Sequence, residues 1–591
     1  MSKDAANEVS QAVEMGRHGL AHILAKAVTE LFGSVKLAIG PAIDTGFYYD
    51  FDLPRTITEA DFAAIEAKMT EILKRREGFT RRELSKAEAL ELFKDNEYKL
   101  ELIQDLPEDE IISVYFTGED FVDLCRGPHV ENTQFLLPWA FKVHSVTGAY
   151  WRGDSSRKML QRVYAYGFEN KAGLKAHLSF LEEAKKRDHR KIGKEQELFA
   201  LMEEGPGFPF FLPKGMVLRN QLLKFWHEVH EQAGYKEIST PIMLNKSLWE
   251  RSGHWAHFSE NMYTSSIDEQ DFCIKPMNCP GGMLAYGLRN RSYRELPLRI
   301  GELGLVHRNE LSGALHGLMR VRCFTQDDAH IFMTREQVKD EIKGVVQLID
   351  SVYTQTFGFS YRIELSTRPE NSMGTQEDWD MATEALREAI TELGFDYIIN
   401  EGDGAFYGPK LDFHLSDCLG RSWQCGTIQL DFQLPERFEL EYTGPDGHAH
   451  RPTMVHRVVF GALERFIGIL IEHFAGKFPF WLSPLQVGVV PVQEAHAAYA
   501  DEIAAQLNQI GVRVEVDHGS GTMGNKIKSF RQGLVPYILI VGDAEQSGGT
   551  ISLRLRTGKQ VNEIPLEAFL AACRDMAANH RLELADEFDI P

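Results

Sequence analysis

The chain has 591 residues, of which 43% are hydrophobic and 25% are charged, the balance of an ordinary globular protein. This length exceeds what one hydrophobic core supports, so three or four domains are expected. The formal net charge of −22 argues against a protein that coats nucleic acid by bulk attraction, and no apolar run is long and charge-free enough to span a bilayer.

The first third of the chain is predicted to contain a helix, a strand with turns, charged helices and short strands. A helical pattern covers residues 18–32, and the Gly- and Pro-punctuated stretch 40–52 predicts strand and turn. Residues 61–105 are interpreted as helices of alternating charge, and residues 110–167 as shorter strands and turns. Residues 170–203 predict a charged linker helix.

The remaining chain begins with a turn-rich segment at 205–215, followed by a helix from Met216 to about Gly234. Strands that alternate with long connections are predicted from there to about Pro484. After Gln486, helices alternate with apolar β-branched runs in the order strand, helix, strand, helix, strand. This alternation predicts a compact α/β domain.

The N-terminus and the cysteines indicate a cytoplasmic protein without membrane association. The first 16 residues have no apolar core, so they do not form a secretion signal. The chain has seven cysteines, an odd number, and none of them form a Cys-x-x-Cys motif. This pattern does not predict a disulfide framework and indicates a reducing compartment. Two basic runs, 74–82 and 185–194, are interpreted either as local nucleic-acid contacts or as solvated helix faces.

Three separated motifs stand out in the part of the chain after residue 234. They are YKEISTPIM (235–243) after a helix, HRNE (307–310) with RVRCF (320–324) after a loop, and GALERF (461–466) at the start of a helix. Each motif is weak by itself, because such short patterns occur by chance and each charged residue also fits a surface salt bridge. In this order in one chain, they resemble motifs 1, 2 and 3 of class II aminoacyl-tRNA synthetases.

The residue types fit the chemistry of that class. A carboxylate attacks the α-phosphate of ATP in line, so catalysis depends on positioning and on neutralising spread negative charge. Planar arginines suit this because they grip phosphate or carboxylate with two parallel hydrogen bonds. The resemblance implies that Arg308 holds the α-phosphate and the amino-acid carboxylate, and that Arg320 and Arg465 hold the distal phosphates or adenine. Glu310 would face the adenine amino group or help to place the magnesium that accompanies ATP.

Five further stretches narrow the resemblance to one family. They are MNCPGGM (277–283), FTQDDAH (324–330), AFYGPK (405–410), QCGTIQLDF (424–432) and MVHRVVFGALERF (454–466). They look like the threonyl-tRNA synthetase family, and the resemblance covers almost the whole chain. It implies a multidomain α+β and α/β protein. The expected parts are an α+β editing domain at 1–170, a linker helix at 171–204, a class II catalytic domain with an antiparallel sheet at 205–484 and a C-terminal α/β anticodon-binding domain at 485–591.

The resemblance places one zinc ion per subunit on Cys279, His330 and His456. Spacing alone does not identify this site, since the gaps far exceed local zinc-finger spacing and a lone buried Cys or His is usually a core residue. Three ligands with one open position are nevertheless the arrangement of a zinc that binds substrate. An ion that takes both the amino group and the hydroxyl of threonine leaves valine one ligand short, whereas an apolar pocket separates such near-isosteres by only about 10²-fold.

The same resemblance assigns the residues around this ion. Asp328 would anchor the ammonium group of the substrate, and His254 in RSGHW would act on the adenylate or on the terminal ribose of the tRNA. The other residues implied for the amino-acid and phosphate site are Gln326, Tyr407, Lys410 and Gln429.

A second cluster near the N-terminus predicts a hydrolytic site. Serine keeps both zinc-binding groups of threonine and lacks one methyl, worth only about 1–3 kcal/mol, so a second selection is needed. The sequence offers His-x-x-x-His on one helix face and Cys-x-x-x-His after a strand. These residue types are the usual ligands of a zinc hydrolase, but they would also fit two core histidines and a buried thiol without a catalytic role. The resemblance implies instead the editing site of threonyl- and alanyl-tRNA synthetases, formed here by His18, His22, Lys99, Asp123, Cys125 and His129.

The sequence therefore predicts ATP-dependent ligation of threonine to its tRNA through a threonyl-adenylate, with hydrolysis of mischarged seryl-tRNA. The expected partners are ATP, L-threonine, the tRNA for threonine and a second copy of the chain, since motif 1 forms the dimer interface in this class. An inactive RNA-binding relative would usually lack the motif arginines, and a zinc hydrolase built on residues 1–170 would leave Arg308 and Arg465 unexplained.

The sequence departs from the family pattern in two places. Most members carry a small ubiquitin-like domain before the editing domain, and we expect it to be missing because His18 lies almost at the start. In GNKIKSFRQG, Asn525 and Lys528 stand where Glu and Arg are expected, so the anticodon contacts there are left open.

Overall fold

The computed structural model describes residues 3–107, 110–417 and 420–588. The chain divides into two compact units, Met1–Glu183 and Ala184–Pro591. Cys418 lies outside the described residues, and the other six cysteines are free thiols. None of the described helices combines the length and the apolarity needed to cross a membrane.

The first unit contains helices α1 to α5 and strands β1 to β8. The helices are α1 (Lys3–Phe32), α2 (Phe62–Lys74), α3 (Lys86–Leu92), α4 (Glu97–Gln104) and α5 (Lys171–Arg187), which ends in the second unit. The strands are β1 (Lys36–Leu37), β2 (Ala42–Ile43), β3 (Gly46–Asp52), β4 (Phe79–Leu84), β5 (Ile112–Thr117), β6 (Phe121–Leu124), β7 (Ala140–Tyr150) and β8 (Met159–Phe168).

Helix α1 packs against a five-stranded antiparallel sheet of order β1-β3-β8-β7, with β2 beside β3. Alternate residues of β3, Phe47, Tyr49 and Phe51, are buried against Leu20 and Leu24 of α1, as the two-residue period of a strand requires. The predicted helix at 18–32 is confirmed and extends further toward the N-terminus.

A second, three-stranded sheet of order β4-β5-β6 ends just before Cys125. Its strand β4 lies inside residues 61–105, where only helices were predicted, so that prediction was wrong for this segment. The prediction failed because β4 is stabilised by pairing with β5, and the hydrophobic pattern of a segment does not show which distant strand it pairs with.

The second unit contains helices α6 to α18 and strands β9 to β29. The helices are α6 (His189–Glu195), α7 (Pro213–Gln232), α8 (Lys246–Arg251), α9 (His254–Phe258), α10 (Cys279–Tyr286), α11 (Val338–Asp350), α12 (Gln376–Leu393), α13 (Gln433–Arg437), α14 (Leu463–His473), α15 (Ala497–Gln509), α16 (Met523–Gln532), α17 (Asp543–Gly548) and α18 (Leu566–Ala578). The strands before residue 484 are β9 (Phe199–Leu201), β10 (Pro209–Phe211), β11 (Lys236–Glu237), β12 (Met243–Asn245), β13 (Tyr263–Ile267), β14 (Gln270–Ile274), β15 (Arg291–Ser292), β16 (Leu298–His307), β17 (Cys323–Met333), β18 (Ser360–Ser366), β19 (Tyr397–Asn400), β20 (Lys410–Ser416), β21 (Ser422–Asp431), β22 (Tyr442–Thr443), β23 (Ala449–His450) and β24 (Thr453–Ala462). The later strands are β25 (Val487–Pro491), β26 (Val514–Val516), β27 (Tyr537–Val541), β28 (Thr550–Leu555) and β29 (Gln560–Pro565).

An eight-stranded sheet of order β11-β16-β17-β24-β21-β20-β18-β19 dominates the part before residue 484. It is antiparallel except for the outermost pairs β11/β16 and β18/β19. Residues such as Ile331, Val455 and Leu430 share one core with α7, α11, α12 and α14. Because side chains alternate along a strand, Asp328 and His330 lie on the opposite face of β17 from Ile331. The predicted helix starting at Met216 is confirmed as α7, which begins three residues earlier at Pro213.

The C-terminal part has a five-stranded mixed sheet of order β26-β25-β27-β28-β29. Strands β26, β25 and β27 are parallel, whereas β27, β28 and β29 are antiparallel. The predicted alternation of strands and helices is confirmed from β25 to β27, with α15 and α16 between them.

Candidate active sites

A cavity of about 410 Å³ lies beside the central strands of the eight-stranded sheet. It brings together residues that are far apart in the sequence. The predicted site residues that line it are Cys279, Arg308, Glu310, Arg320, Gln326, Asp328, Tyr407, Gln429, His456 and Arg465. His330, Lys410 and His254 are not among the lining residues.

The strand register explains why these side chains converge. Strands β16 and β17 pair antiparallel up to His307 opposite Cys323, so the residues that follow β16 and precede β17 belong to one connection. This connection carries Arg308, Glu310 and Arg320. Strand β24 then pairs with both β17 and β21, which places His456 beside His330 on one side and beside Gln429 on the other.

The arginines of the cavity are fixed by backbone carbonyls and by Glu310. Arg308 donates from Nε to the carbonyl of Pro276 at 3.2 Å, and burial lowers the pKa of its guanidinium. Arg320 forms an ion pair with Glu310, with nitrogen-to-oxygen distances of 3.0 and 2.8 Å. Arg465 donates to the carbonyls of Met319 and Gln424 at 2.9 and 3.1 Å. The three guanidinium groups thus provide concentrated positive charge for an anionic ligand.

Cys279, His330 and His456 form a buried triad whose ligand atoms lie within 4.8 Å of one another. They come from the start of α10, from β17 and from β24. The buried Nε2 of His330 and Nδ1 of His456 have no hydrogen-bond partner among the described residues. One thiol and two imidazoles with unsatisfied nitrogens are a donor set that fits Zn²⁺.

The electrostatics around the triad favour a bound cation. Burial raises the pKa of Cys279 and lowers that of His330 well below its ordinary range. Burial also lowers the pKa of His456, but Cys279 and Asp431 outweigh it and raise the value to about 10. Burial raises the pKa of Asp328 to about 7. The buried thiol of Cys279 and the buried carboxyl of Asp328 are therefore costly to ionise unless a cation lies beside them.

Besides His330, two predicted residues lie outside the cavity lining, and both have their own partners. Lys410 forms ion pairs with Asp412 at 2.8 Å and Asp403 at 3.1 Å. The Nδ1 of His254 lies 2.8 Å from the hydroxyl of Ser252, and its Nε2 lies 3.2 Å from the sulfur of Met277. Burial lowers the pKa of His254 to about 3, so this imidazole is neutral.

Sequence reasoning missed three residues that support the cavity. Asp431 accepts a hydrogen bond from Nε2 of His456 at 2.7 Å, and a two-residue period from Gln429 on β21 would have found it. Asn278 donates to Asp328 at 3.4 Å. Asp327 accepts hydrogen bonds from three successive backbone N–H groups, at 459–461, which shape the end of β24.

The N-terminal cluster is equally compact. The Sγ of Cys125 lies 3.3 Å from Nε2 of His18 and 3.2 Å from Nε2 of His129, and it accepts a hydrogen bond from the N–H of Gly127 at 3.2 Å. The ring of His22 lies 4.3 Å from that of His129. Ligand atoms of the two helix histidines, Cys125 and His129 all lie within 4.8 Å of one another. The structure therefore brings together the four side chains predicted from the two short motifs.

Lys99 and Asp123 complete this cluster as a buried ion pair. Their Nζ and Oδ1 atoms are 2.5 Å apart, and the other carboxylate oxygen lies 3.8 Å from Nε2 of His22. Tyr49, which sequence reasoning missed, donates its hydroxyl to Asp123 at 2.5 Å. The pattern of β3 alone marks Tyr49 only as a core residue.

Burial keeps the cluster neutral at its centre. It lowers the pKa values of His18, His22 and His129, and it raises the pKa of Cys125 to about 11. A neutral thiol and neutral imidazoles offer donors and acceptors that hold a water molecule. The same atoms have the composition of a four-ligand zinc site, so the geometry leaves both chemistries open.

Three family models match the chain. A model described as the tRNA synthetase class II core domain (G, H, P, S and T) matches residues 263–474, and one described as an anticodon binding domain matches 486–576. A model described as the threonyl and alanyl tRNA synthetase second additional domain matches 112–164. The metal-ligand triad lies within the first of these matches, and Cys125 and His129 lie within the third.

Individual proteins match over nearly the whole chain. The chain is 59% identical over 565 residues to the threonine–tRNA ligase of Carboxydothermus hydrogenoformans, covering 95% of this chain and 88% of that protein. It is 58% identical over 567 residues to the threonine–tRNA ligase of Clostridioides difficile, covering 96% and 88%. A crystal structure described as the RNA binding domain of threonyl-tRNA synthetase from Cryptosporidium parvum is similar with a TM-score of 0.64 at 40% identity, covering 66% of this chain and 98% of that one.

Proposed function

The chain belongs to the threonyl-tRNA synthetase family, and we propose that its two polar clusters divide the family's ligation and editing reactions between them. As a class II aminoacyl-tRNA synthetase, it ligates threonine to its tRNA in an ATP-dependent reaction and hydrolyses mischarged seryl-tRNA. The observation that supports this division is that the arginines share one cavity with two members of the metal-ligand triad, whereas the Cys125 cluster lies in the other unit.

The first reaction forms threonyl-adenylate. A carboxylate oxygen of threonine bonds to the α-phosphorus of ATP as pyrophosphate leaves. Arg308 binds the α-phosphate and the carboxylate, since its half-buried guanidinium is poorly hydrated and gains most from an anionic partner. Arg320 and Arg465 bind the distal phosphates or adenine. Glu310, held by Arg320, contacts the adenine amino group or orders the magnesium that arrives with ATP.

Selection of threonine depends on the buried triad. Cys279, His330 and His456 would hold one Zn²⁺ per subunit, and this ion would supply coordination positions for both the amino group and the hydroxyl of threonine. The ammonium group must lose a proton before its nitrogen can bind the metal, and Asp328 would accept that proton or a hydrogen bond from the amino group. Gln326, Tyr407 and Gln429 line the amino-acid pocket, and a hydrogen bond from Tyr407 to Gln429 holds two of these side chains in place.

His254 and Lys410 act at the edge of this site. Because His254 is neutral, its imidazole would form a hydrogen bond to the adenylate or to the terminal ribose of the tRNA. Lys410, held by two carboxylates, supplies positive charge toward the phosphates.

Editing takes place in the first unit. The hydrolytic water and the serine hydroxyl are both contacted by the same four side chains, those of His18, His22, Cys125 and His129. Serine fits this pocket because it lacks the methyl group that would exclude threonine. Lys99 and Asp123 form a buried ion pair, and the carboxylate of Asp123 lies beside His22 and helps to hold it in place. We assign a water-based mechanism to this site and a single zinc ion to the whole subunit.

We further propose how the chain is organised and where it works. Residues 1–170 form the editing domain, 171–204 the linker, 205–484 the catalytic domain and 485–591 the anticodon-binding domain. The single linker helix predicted from the sequence is wrong, because this segment consists of α5, α6 and the strand β9, which pairs with β10. The protein acts in the cytoplasm as a homodimer, with the tRNA for threonine, ATP and L-threonine as its substrates.

Pyrophosphate exchange, assayed with each amino acid separately, tests this assignment. Threonine should support rapid exchange, serine weak exchange, and valine none, because valine cannot fill the second coordination position of the zinc. Strong exchange with valine or proline, or none with threonine, would refute the proposed role of the cavity.

A further inference from the structure

His189 is a buried residue that neither reaction above uses. It lies at the start of α6, directly after the end of α5, and it has no exposed surface. Its Nδ1 lies 2.6 Å from Oε1 of Glu472 in the last turn of α14, and its backbone N–H donates to the same oxygen at 3.1 Å. Its Nε2 accepts a hydrogen bond from the backbone N–H of Leu318 at 3.0 Å.

These contacts fix the tautomer of His189. A carboxylate accepts and a backbone N–H donates, so the ring carries its proton on Nδ1 and presents a bare Nε2 to Leu318. Both ring nitrogens and the backbone N–H of His189 thus already form hydrogen bonds within the protein. A group that joins Asp188, His189 and Glu472 has the composition of a metal site, but the occupied imidazole nitrogens argue against that role.

The turn that His189 contacts connects the cavity arginines. Residues 316–320 fold back on themselves through hydrogen bonds between His316 and both Met319 and Arg320. Arg320 follows in this turn and forms the ion pair with Glu310, while the carbonyl of Met319 accepts the hydrogen bond from Arg465. A shift of this turn would therefore displace two of the three guanidinium groups together.

Gly317 gives independent support for this contact. It has a φ of +51°, and a Cβ built on it would lie 2.1 Å from Nε2 of His189. Only glycine adopts this backbone conformation without strain and also leaves room for the imidazole. A glycine at position 317 is therefore what allows His189 to approach this turn so closely.

We propose that His189 is a positioning residue for ATP: its Nε2 holds the 316–320 turn so that Arg320 and Arg465 face the phosphates. This inference rests on the proposed role of the cavity in adenylate formation. It adds a residue that never touches the substrate and that ties the start of α6 to the phosphate-binding side chains.

Two substitutions separate the two bonds of the imidazole. In His189→Asn the side-chain amide lies where Nδ1 was, so it keeps the bond to Glu472 and loses the one to Leu318. In His189→Gln the longer side chain places an oxygen near the former Nε2, so it keeps the bond to Leu318. We expect His189→Asn to lower kcat/KM for ATP in pyrophosphate exchange by about tenfold or more, because a buried N–H is left unpaired.

The pattern across substrates and variants distinguishes positioning from general destabilisation. KM for threonine should change less than about twofold, and His189→Gln should recover ATP kinetics to within about threefold of the parent even if it melts earlier. The matched control is His496→Asn. His496 is also buried and also bonds a carboxylate, that of Asp543 at 3.0 Å, and a backbone N–H, that of Gln493 at 3.2 Å, but it lies in the C-terminal sheet region. It should leave exchange unchanged.

Gly317→Ala provides a second, independent variant if His189→Asn does not fold. It should raise KM for ATP in the parent, because the new methyl would lie 2.1 Å from Nε2 of His189 and would displace the turn. Normal ATP kinetics in both His189→Asn and Gly317→Ala, or equal losses for ATP and threonine, would overturn the proposal. A parent enzyme without threonine-dependent exchange would instead refute the proposed function itself.

Discussion

His456 donates a hydrogen bond from Nε2 to the carboxylate of Asp431 at 2.7 Å, which directs its Nδ1 into the triad with Cys279 and His330. Both residues are buried, and Asp431 also accepts the N–H groups of residues 433 and 434, which fix the carboxylate. A carboxylate behind a metal-binding imidazole orients the ring and raises its basicity. The hydrogen bond between His456 and Asp431 therefore supports a metal site whose ligands are already oriented without the metal.

Asp431→Asn should weaken zinc binding by roughly 10- to 100-fold, because the amide orients His456 less well and does not support its basicity. Zinc retention after dialysis against chelators of graded strength measures this change, and threonine-dependent exchange should fall in parallel. A variant that retains zinc as firmly as the parent would show that Asp431 only caps α13.

Cys279→Ser should remove zinc and threonine activation together, since serine replaces a thiolate with a poor zinc ligand. The parent should contain one zinc per chain by elemental analysis, and the variant none. Cys573→Ser, a buried cysteine of the C-terminal core, is the matched control and should keep both. Two zinc ions per parent chain would contradict the single-metal proposal and would place the second on the Cys125 cluster.

The sequence predicted which side chains the structure brings together better than it predicted the residues that hold them in place. Cys279, His330 and His456 were assigned because each stands in a stretch typical of the family, although no local spacing joins them. Asp431 was within reach, because it shares a strand face with Gln429. His189 was not, since its partners Leu318 and Glu472 are 129 and 283 residues away and no local pattern marks them. Strand β4 was missed for the same reason, as its pairing partner lies across α3 and α4.

Glu464→Gln should make the protein more stable at alkaline pH. Burial raises the pKa of Glu464 to about 7, above its ordinary value of 4.5. Between these two values the folded state binds more protons than the unfolded state, so stability falls as pH rises through this window and stays lower above it. A glutamine lacks this loss and still accepts the hydrogen bond from the N–H of Thr325.

Melting temperatures at pH 5 and pH 8.5 measure this effect. The gain from Glu464→Gln should be largest at pH 8.5, up to about 3 kcal/mol, and should shrink toward pH 5. Glu502→Gln, an exposed residue of α15, is the control and should show no such difference. An equal effect of Glu464→Gln at both pH values would show that the carboxyl is not costly to ionise in the folded protein.

The separation of the two sites gives the last prediction. His22→Ala and Cys125→Ala should leave threonine activation and threonyl-tRNA formation nearly unchanged, because every cavity residue lies in the other unit. What should change is the fate of serine. One missing methyl is worth only about 1–3 kcal/mol in the synthetic pocket, so most of the accuracy must come from hydrolysis. The variants should therefore deacylate preformed seryl-tRNA slowly and accumulate it when charged at high serine.

Reciprocal variants make this test specific to the cluster. Arg308→Ala should lose adenylate formation by roughly 10²- to 10³-fold, since it removes the guanidinium that binds the reacting phosphate, yet it should deacylate seryl-tRNA at the parent rate. His144→Ala, a histidine of β7 outside the cluster, should affect neither reaction. Equal deacylation by parent, His22→Ala and Cys125→Ala would mean that these side chains only pack the core between α1 and β6, and that hydrolysis takes place elsewhere. A loss confined to the two cluster variants, with Arg308→Ala losing only ligation, would require two independent active sites on one chain.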